Sequence, residues 1–208
     1  MTGTKQHRSR DHAMATTISD EELMLQVREG IGEMLGLLFD RYQQPLFSFF
    51  VRMTGDRALS EDLVQDVFYR ILRYRHTYKP GSAFRAWMYQ VARNARRDHL
   101  DRQISEASLD EQTMPSTVVP LDTVSEQQQN ALLRRALLRL PEEKREVLVL
   151  SRFQGLTYEE IGKLLGCEAG AVKVRVFRAL QALKEMVHKL QNRPLLKPGL
   201  QQGVRYDM

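Results

Sequence analysis

The sequence predicts an all-α protein of two small helical domains joined by a flexible acidic linker. Apolar residues recur at helical spacing through most of the chain, and no stretch alternates like a half-buried strand. Residues 103–130 contain no Lys or Arg but hold five acidic residues, Glu106, Asp110, Glu111, Asp122 and Glu126. Such a long loop is uncommon inside one compact domain. The predicted segments are a disordered tail at 1–17, a domain at 18–102, the linker at 103–130, a domain at 131–190 and a flexible tail at 191–208.

Local signals place four helices in the first domain. The first begins after Ser19, because a glutamate three residues later completes a capping box with this serine. The second runs over about residues 33–53 and contains Pro45, which predicts a kink. Ser60 is expected to open the third helix, and the fourth covers about residues 82–102.

The third helix has an apolar side and an acidic side. Its apolar side consists of Leu63, Val64, Val67, Phe68, Ile71 and Leu72. The residues left for the other side are Asp62, Gln65, Asp66, Tyr69 and Arg73. The macrodipole of a helix explains an acid near its N-terminus, as at Asp62, but explains Asp66 less well. We therefore expect Asp66 to belong to a docking surface for a basic partner, with a solvated face as the alternative.

The outer face of the fourth helix is predicted to bind nucleic acid. It carries Tyr89, Arg93, Arg96 and Arg97, with Asn94 on its flank, whereas Trp87 falls on the core side. The preceding loop, residues 75–81, mixes cations with an aromatic ring. Tyr78 in this loop is expected to stack on an unpaired base or to wall its pocket, and the alternative is that it only covers apolar surface.

Near the C-terminus the sequence predicts a helix-turn-helix. Thr157 caps the first helix, and Gly166 ends it where a left-handed residue is needed. The apolar side of the second helix is expected to be Val172, Val176, Leu180 and Leu183. Its opposite face presents Val174, Phe177, Arg178 and Gln181, flanked by Lys173 and Arg175. Apolar contacts to thymine methyl groups, and cation contacts to guanine and phosphate, would use this face. A helical hairpin with a solvated basic side is the alternative. Upstream, Pro141 is expected in the first turn of another helix.

Composition limits the classes of function. The net charge of +5 and the pI near 9.4 favour a polyanionic partner. No apolar run approaches the roughly 20 residues that span a bilayer, and the N-terminus lacks a hydrophobic signal core. The single Cys167 excludes an internal disulfide and is expected to be a small buried side chain rather than a redox switch. The histidines have no metal-ligand spacing, and no catalytic constellation is present. We expect a cytoplasmic protein without metal, cofactor or membrane insertion.

These features together resemble the RNA polymerase sigma factors of the sigma-70 family, specifically the extracytoplasmic-function (ECF) group. Residues 62–72 followed by 84–100 are similar to the family's region two, and residues 140–148 with the helix-turn-helix are similar to region four. The two regions in this order are more specific evidence for the family than either region alone, because a helix-turn-helix alone occurs in many regulators. The resemblance implies a bacterial promoter-specificity subunit.

The resemblance also implies partners and roles. Core RNA polymerase would bind through its β′ clamp coiled coil, at Asp62, Gln65 and Asp66, and through its β flap. The melted minus-ten element of promoter DNA would be held by Tyr78, Lys79, Arg93, Asn94, Arg96 and Arg97. The minus-thirty-five element would be read by Lys173, Val174, Arg175, Phe177 and Arg178, with Arg152 on its backbone. An anti-sigma factor is a further implied partner, and the acidic linker would thread through polymerase channels.

One departure from the family concerns the recognition helix. The family commonly has Thr-Val-Lys-Ser-Arg where this chain has Ala171-Val-Lys-Val-Arg175, so two hydroxyl groups are lost and an altered minus-thirty-five preference is expected. The chief rival function is a self-sufficient DNA-binding regulator of the response-regulator type. Such a protein would need alternating strands and helices with a phosphoacceptor Asp after a strand, and the first domain shows neither. An enzyme is the third alternative.

Overall fold

The computed structural model describes residues 18–107 and 126–192, and these residues form helices and turns without a strand. The first group of helices is α1 (Asp20–Arg28), α2 (Glu33–Thr54), α3 (Arg57–Arg73) and α4 (Phe84–Ala107). The second is α5 (Glu126–Leu138), α6 (Glu142–Leu148), α7 (Tyr158–Leu165) and α8 (Ala169–Gln191). A 3₁₀ turn follows α3 at Arg75–Thr77, and a π-helical turn, Val149–Phe153, continues α6. The predicted all-α fold is confirmed, whereas both predicted tails and linker residues 108–125 lie outside the described residues, apart from residues 191 and 192.

Helix α1 begins as the sequence predicts, and its side chains form hydrogen bonds with α2 and α4. The Ser19 hydroxyl accepts a hydrogen bond from the Glu22 amide at 3.2 Å, and the Ser19 amide donates to the Glu22 carboxylate at 2.9 Å. Asp20 accepts hydrogen bonds from Arg41 and Tyr42 of α2. Glu21 Oε1 accepts from the amide of Phe84, the first residue of α4, at 2.9 Å. A side chain of α1 therefore caps α4, a contact that no local pattern reveals.

Several element boundaries differ from the sequence-based expectations. Ser60 does not open α3: the Asp56 carboxylate accepts from the Leu59 amide at 3.1 Å and caps the helix earlier, while Ser60 is buried within it. Pro141 precedes α6 as its N-cap residue instead of lying in its first turn. Helix α4 extends to Ala107 and α5 begins at Glu126, so both ends of the predicted linker are helical.

The two groups of helices share one continuous hydrophobic core. Apolar side chains of α2 and α4, such as Phe49 and Met88, belong to the same buried cluster as Leu148 and Val172 of the second group. Helix α7 packs against α4, while α5, α6 and the π-helical turn pack against α2. This arrangement places the second group directly on the basic helix α4, and it decides which predicted site residues are accessible.

Candidate nucleic-acid interfaces

The helix-turn-helix forms between α7 and α8 with the predicted local structure. The Thr157 hydroxyl accepts from the Glu160 amide at 3.2 Å, and the Glu160 carboxylate accepts from the Thr157 amide at 2.7 Å, which completes the predicted capping box. Gly166 ends α7 in the left-handed region with φ +64°, and its amide donates to the Gly162 carbonyl. The turn is therefore fixed by groups that lie close together in the sequence.

Gly162 is a further determinant of this turn, and it is not among the residues predicted from the sequence. A Cβ atom at this position would lie 2.5 Å from the carbonyl oxygen of Cys167, which is too close for any side chain. The Cys167 amide also donates to the Gly162 carbonyl at 2.9 Å. The turn folds back tightly on α7 because residue 162 has no side chain. A glycine inside a short amphipathic helix is the signal that reveals such a contact.

Helix α8 buries one side and exposes an apolar pair on the other. Val172, Val176 and Ala179 are buried. The prediction that Leu180 faces the core is wrong, since this side chain is 36% exposed. Four residues turn a helix by about 400°, so a strict four-residue spacing drifts by about 40° a step and Ala179 takes the inner position. Val174 and Phe177 are 47% and 61% exposed.

The cations around this apolar pair are free to bind an anionic partner. Lys173, Arg175 and Arg178 are exposed and form no hydrogen bond or ion pair with another described residue. Arg178 lies one turn from Val174 on the same face of α8. Arg152 is also exposed, on the π-helical turn. The surface thus combines unpaired positive charge with exposed apolar groups, as a DNA-reading helix requires.

Most of the basic face of α4 is covered, contrary to the expectation that it points outward. Glu146 of α6 forms a two-pronged ion pair with Arg93, at 2.8 Å to Nε and 3.2 Å to Nη2. The Arg93 Nη1 donates to the Leu164 carbonyl at the end of α7, at 2.8 Å. Arg96 is buried and pairs with Glu142 of α6. These two arginines therefore have acidic partners from the second group of helices.

Tyr89 differs from the prediction that it lies on an exposed face. The residue is 1% exposed, and its ring packs edge-on against Phe49 with 5.4 Å between ring centroids. Its hydroxyl hydrogen-bonds the side-chain carbonyl oxygen of Gln154 at 2.7 Å. The expectation failed because Gln154 and the helices around it, which cover this side of α4, come from the distant second group.

The loop before α4 exposes one of its predicted DNA-contacting residues and buries another. Tyr78 is 1% exposed, contacts Trp87 edge-on at 5.3 Å between ring centroids, and donates its hydroxyl to the Ser82 carbonyl at 2.5 Å. Burial, and then the negative charge of Glu21 and Asp20, raise the pKa of Tyr78 to about 12. Its ring therefore supports the loop and is not an exposed stacking platform, whereas Lys79 is exposed.

Two further residues of α4 keep part of their surface open. Arg97 is exposed, and Asn94 is half-buried. The side-chain oxygen Oδ1 of Asn94 accepts from Gln90 Nε2 at 3.2 Å. Only part of the predicted minus-ten surface is thus accessible in this arrangement of the helices.

The acidic side of α3 contains a paired and an unpaired part. Asp62 and Gln65 are exposed. Asp66 is half-buried instead of exposed, and both of its oxygens accept from Arg70 Nε at 3.0 Å. Arg70 also donates to Asp98 of α4 at 2.5 Å. This ion triad joins α3 to α4, which gives Asp66 a role that neither sequence-based alternative included.

The remaining candidate features are Cys167, potential metal ligands and potential membrane-spanning helices. Cys167 is half-buried in the turn. Over residues 18–107 and 126–192 no three His, Cys, Asp or Glu side chains are grouped as metal ligands. Among the helices that the structure describes, none has the length and apolar character to cross a membrane.

Known protein families match both groups of helices. The chain matches the family models described as "Sigma-70 region 2", over residues 38–105, and "Sigma-70, region 4", over residues 130–183. It is 34% identical over 171 residues to the RNA polymerase sigma factor CarQ of Myxococcus xanthus, covering 81% of this chain and 97% of CarQ. It is 28% identical over 192 residues to the ECF RNA polymerase sigma-E factor of Escherichia coli K12, covering 86% of this chain and all (100%) of that protein.

A solved structure shows the same architecture. CnrH in complex with the cytosolic domain of CnrY superposes with a TM-score of 0.62 at 25% identity, covering 82% of this chain and 97% of CnrH. The fold and these relatives define a bacterial-type transcription initiation subunit, and the chain belongs to the sigma-70 family. It is an ECF sigma factor, a regulatory subunit that directs RNA polymerase to specific promoters. Region 2 corresponds to α2–α4 and region 4 to α5–α8.

Proposed function

We propose that α8 reads the minus-thirty-five element of the promoter. The observation that carries this proposal is the exposed face of α8, on which unpaired cations surround two apolar side chains. The proposed contacts are made by Lys173, Val174, Arg175, Phe177 and Arg178, with Arg152 on the DNA backbone. Arginine recognises guanine through two parallel hydrogen bonds, which suits the unpaired guanidinium of Arg178.

Val174 and Phe177 make the proposed recognition of the minus-thirty-five element partly apolar. The family commonly has serine where this chain has Val174, so a hydrogen-bonding group is replaced by an apolar one. Exposed apolar groups on a recognition helix match the 5-methyl group of thymine in the major groove. The proposed minus-thirty-five element therefore contains thymines opposite these two side chains.

The minus-ten element is assigned to α4 and the loop before it. Lys79 and Arg97 are exposed cations that reach a DNA strand directly, and Arg93, Arg96 and Asn94 complete the surface once it is uncovered. Tyr78 contributes as the buried wall of the loop. Phosphate contacts of this kind position a nucleic acid without reading its sequence.

The polymerase surface is assigned to the acidic side of α3. Asp62 and Gln65 are exposed for contact with the β′ clamp, while Asp66 holds Arg70 and shapes the same surface. Region 4 would meet the β flap. The proposal also includes control by an anti-sigma factor, which the family resemblance implies, together with a cytoplasmic location and the absence of catalytic activity.

Transcription by a reconstituted holoenzyme tests the role of α8. Core polymerase with the wild-type chain, transcribing fragmented genomic DNA, identifies the promoters from the 5′ ends of the RNA. The Arg178→Ala variant should lose about 1–3 kcal/mol of promoter binding and relax the preference at one base pair. Lys184→Ala is the matched control, because it removes one positive charge from another exposed position of α8. Unchanged promoter choice and affinity for Arg178→Ala would refute the assignment.

A further inference from the structure

A cleft of about 380 Å³ lies between the end of α3 and the C-terminal half of α4. Tyr69, Arg73 and Tyr74 form one wall of this cleft, and Arg102 lies on the opposite wall. We propose that the cleft binds a nucleoside polyphosphate: the two tyrosine rings stack on the base, and the two arginines hold the phosphates. Such a ligand differs from the promoter DNA and the protein partners assigned above.

The aromatic part of the cleft consists of two tyrosines that the core leaves uncovered. Tyr69 and Tyr74 are 59% and 47% exposed, whereas Tyr42, Tyr78 and Tyr89 are buried. An exposed aromatic ring offers a flat face on which any base can stack, because every base has a π-face. Two such rings in one cleft therefore indicate a ligand with a planar aromatic part.

The arginines of the cleft keep their charge free for an anion. Arg73 is held between the two rings: its guanidinium lies 5.6 Å from the centroid of the Tyr74 ring, and its Nη1 donates to the Tyr69 hydroxyl at 3.4 Å. Arg102 is exposed, and its Nε donates to the backbone carbonyl of Asp98 at 3.2 Å. Neither arginine forms an ion pair with a described residue. Their remaining N–H groups match the oxygens of a phosphate chain.

The acidic residues of the cleft leave it with a positive charge, because Arg70 neutralises them. Both oxygens of Asp66 accept from Arg70 Nε at 3.0 Å, and Asp98 accepts from Arg70 Nη1 at 2.5 Å. Three arginines thus stand against two aspartates in the lining of the cleft. Pockets for small molecules have volumes of about 300–1,000 Å³, so the cleft has the size for a single nucleotide.

The position of the cleft gives the ligand a consequence for holoenzyme formation. Asp66 lines the cleft and also belongs to the proposed polymerase surface of α3. A nucleotide that is held beside it covers part of that surface, so the nucleotide and core polymerase compete for the same chain. This consequence, unlike the site itself, rests on the proposed function.

Binding of a fluorescent nucleotide to the free, full-length chain tests the site. The probe is GTP with an N-methylanthraniloyl group on its ribose, measured by anisotropy and then displaced with unlabelled GTP, ATP or inorganic tripolyphosphate. Arg73→Ala/Arg102→Ala should weaken binding by about tenfold or more, because charge-assisted hydrogen bonds to the phosphates are lost. Arg135→Ala/Arg139→Ala is the matched control, since it removes two exposed arginines that lie outside the cleft and form no ion pair with a described residue.

Substitution of the two rings separates stacking from charge attraction. Tyr69→Leu/Tyr74→Leu removes both rings but keeps apolar side chains, so it should weaken nucleotide binding by about tenfold and leave tripolyphosphate binding unchanged. Tyr69→Phe/Tyr74→Phe keeps both rings and should bind the nucleotide as the wild type does. Circular dichroism of each variant verifies that the chain stays helical.

Several outcomes would overturn the proposal. One is equal nucleotide affinity of Arg73→Ala/Arg102→Ala and the control variant. Another is displacement of the probe by tripolyphosphate as effectively as by GTP, which would indicate charge attraction alone. Failure of unlabelled GTP and ATP to displace the probe would show that only the fluorophore binds. Displacement by a single-stranded oligonucleotide at a far lower phosphate concentration than by GTP would assign the cleft to a nucleic-acid strand.

A pull-down with core polymerase separates the site from its consequence. GTP at a saturating concentration should reduce the association of core polymerase with the wild-type chain, and it should have no such effect on the Arg73→Ala/Arg102→Ala chain. Saturable nucleotide binding that leaves core association unchanged would confirm the site and refute the polymerase role of this side of α3. Loss of core association in Asp62→Arg, without nucleotide binding by the wild type, would support the polymerase surface and reject the site.

Discussion

Replacing Gly162 by alanine should destabilise the helix-turn-helix, whereas the same change at Gly170 should not. A Cβ atom at Gly162 would lie 2.5 Å from the Cys167 carbonyl oxygen and 3.5 Å from the Ala169 amide nitrogen. The atom in conflict is backbone, so the whole turn has to move. Overpacking of this kind costs about 1–3 kcal/mol, against a gain of about 0.5–1 kcal/mol from alanine in a helix. These ranges combine to a net loss of up to about 2.5 kcal/mol, and the conflict with a backbone atom places the expected loss in the upper half of that range.

Gly170 provides the matched control for this prediction. It lies in the first turn of α8, and a Cβ atom there would meet nothing within 4 Å. Alanine at this position should be neutral or stabilise the chain by up to about 1 kcal/mol. Urea unfolding of the full chain, followed by circular dichroism, measures both variants. Gly162→Ala with a midpoint equal to that of Gly170→Ala would refute the steric argument.

Three further predictions concern the DNA, the polymerase and the fold. Deoxyuridine in place of minus-thirty-five thymines should weaken holoenzyme binding about fourfold for each methyl contact that is lost. The Val174→Ala variant should show a smaller loss, because it lacks the side chain that contacts the methyl group. Equal losses for the wild-type and Val174→Ala proteins would exclude a methyl contact. Asp62→Arg should weaken association with core polymerase in a pull-down while helicity stays unchanged, and undiminished association would indicate a merely solvated face. Glu21→Ala should lower the free energy of unfolding by about 0.5–2 kcal/mol, because α4 loses the carboxylate that caps it at Phe84. An unaltered midpoint in urea unfolding would contradict this role of Glu21.

The sequence predicts those features of the fold that depend on neighbouring residues. The capping boxes at Ser19 and Thr157 and the left-handed end at Gly166 each involve groups within one helical turn. Their side chains and backbone amides interact whatever the rest of the chain does. The exposed face with Val174 and Phe177 was predicted for the same reason, since helical periodicity alone separates it from the buried side.

Capping motifs and helical periodicity do not predict contacts between distant parts of the chain. Tyr89 is buried by Gln154, and Arg93 is paired with Glu146, although each pair is far apart in sequence. A basic helix that faces DNA and one that faces an acidic helix have the same periodicity. The sequence-based assignment of α4 to nucleic acid therefore overlooked its intramolecular partner. Asp66 was misplaced for a related reason, because its ion pair with Arg70 is fixed by Asp98 of another helix.

The dependence of promoter opening on core polymerase distinguishes a sigma factor from a self-sufficient DNA-binding regulator. The free chain, core polymerase and the reconstituted holoenzyme are each incubated with promoter DNA and treated with permanganate, which modifies unpaired thymines. We expect only weak, salt-sensitive binding by the free chain, with a dissociation constant of about 10⁻⁴–10⁻⁶ M, and reactive thymines near the minus-ten element with holoenzyme alone. A specific footprint by the free chain that core polymerase leaves unchanged, without reactive thymines, would contradict it.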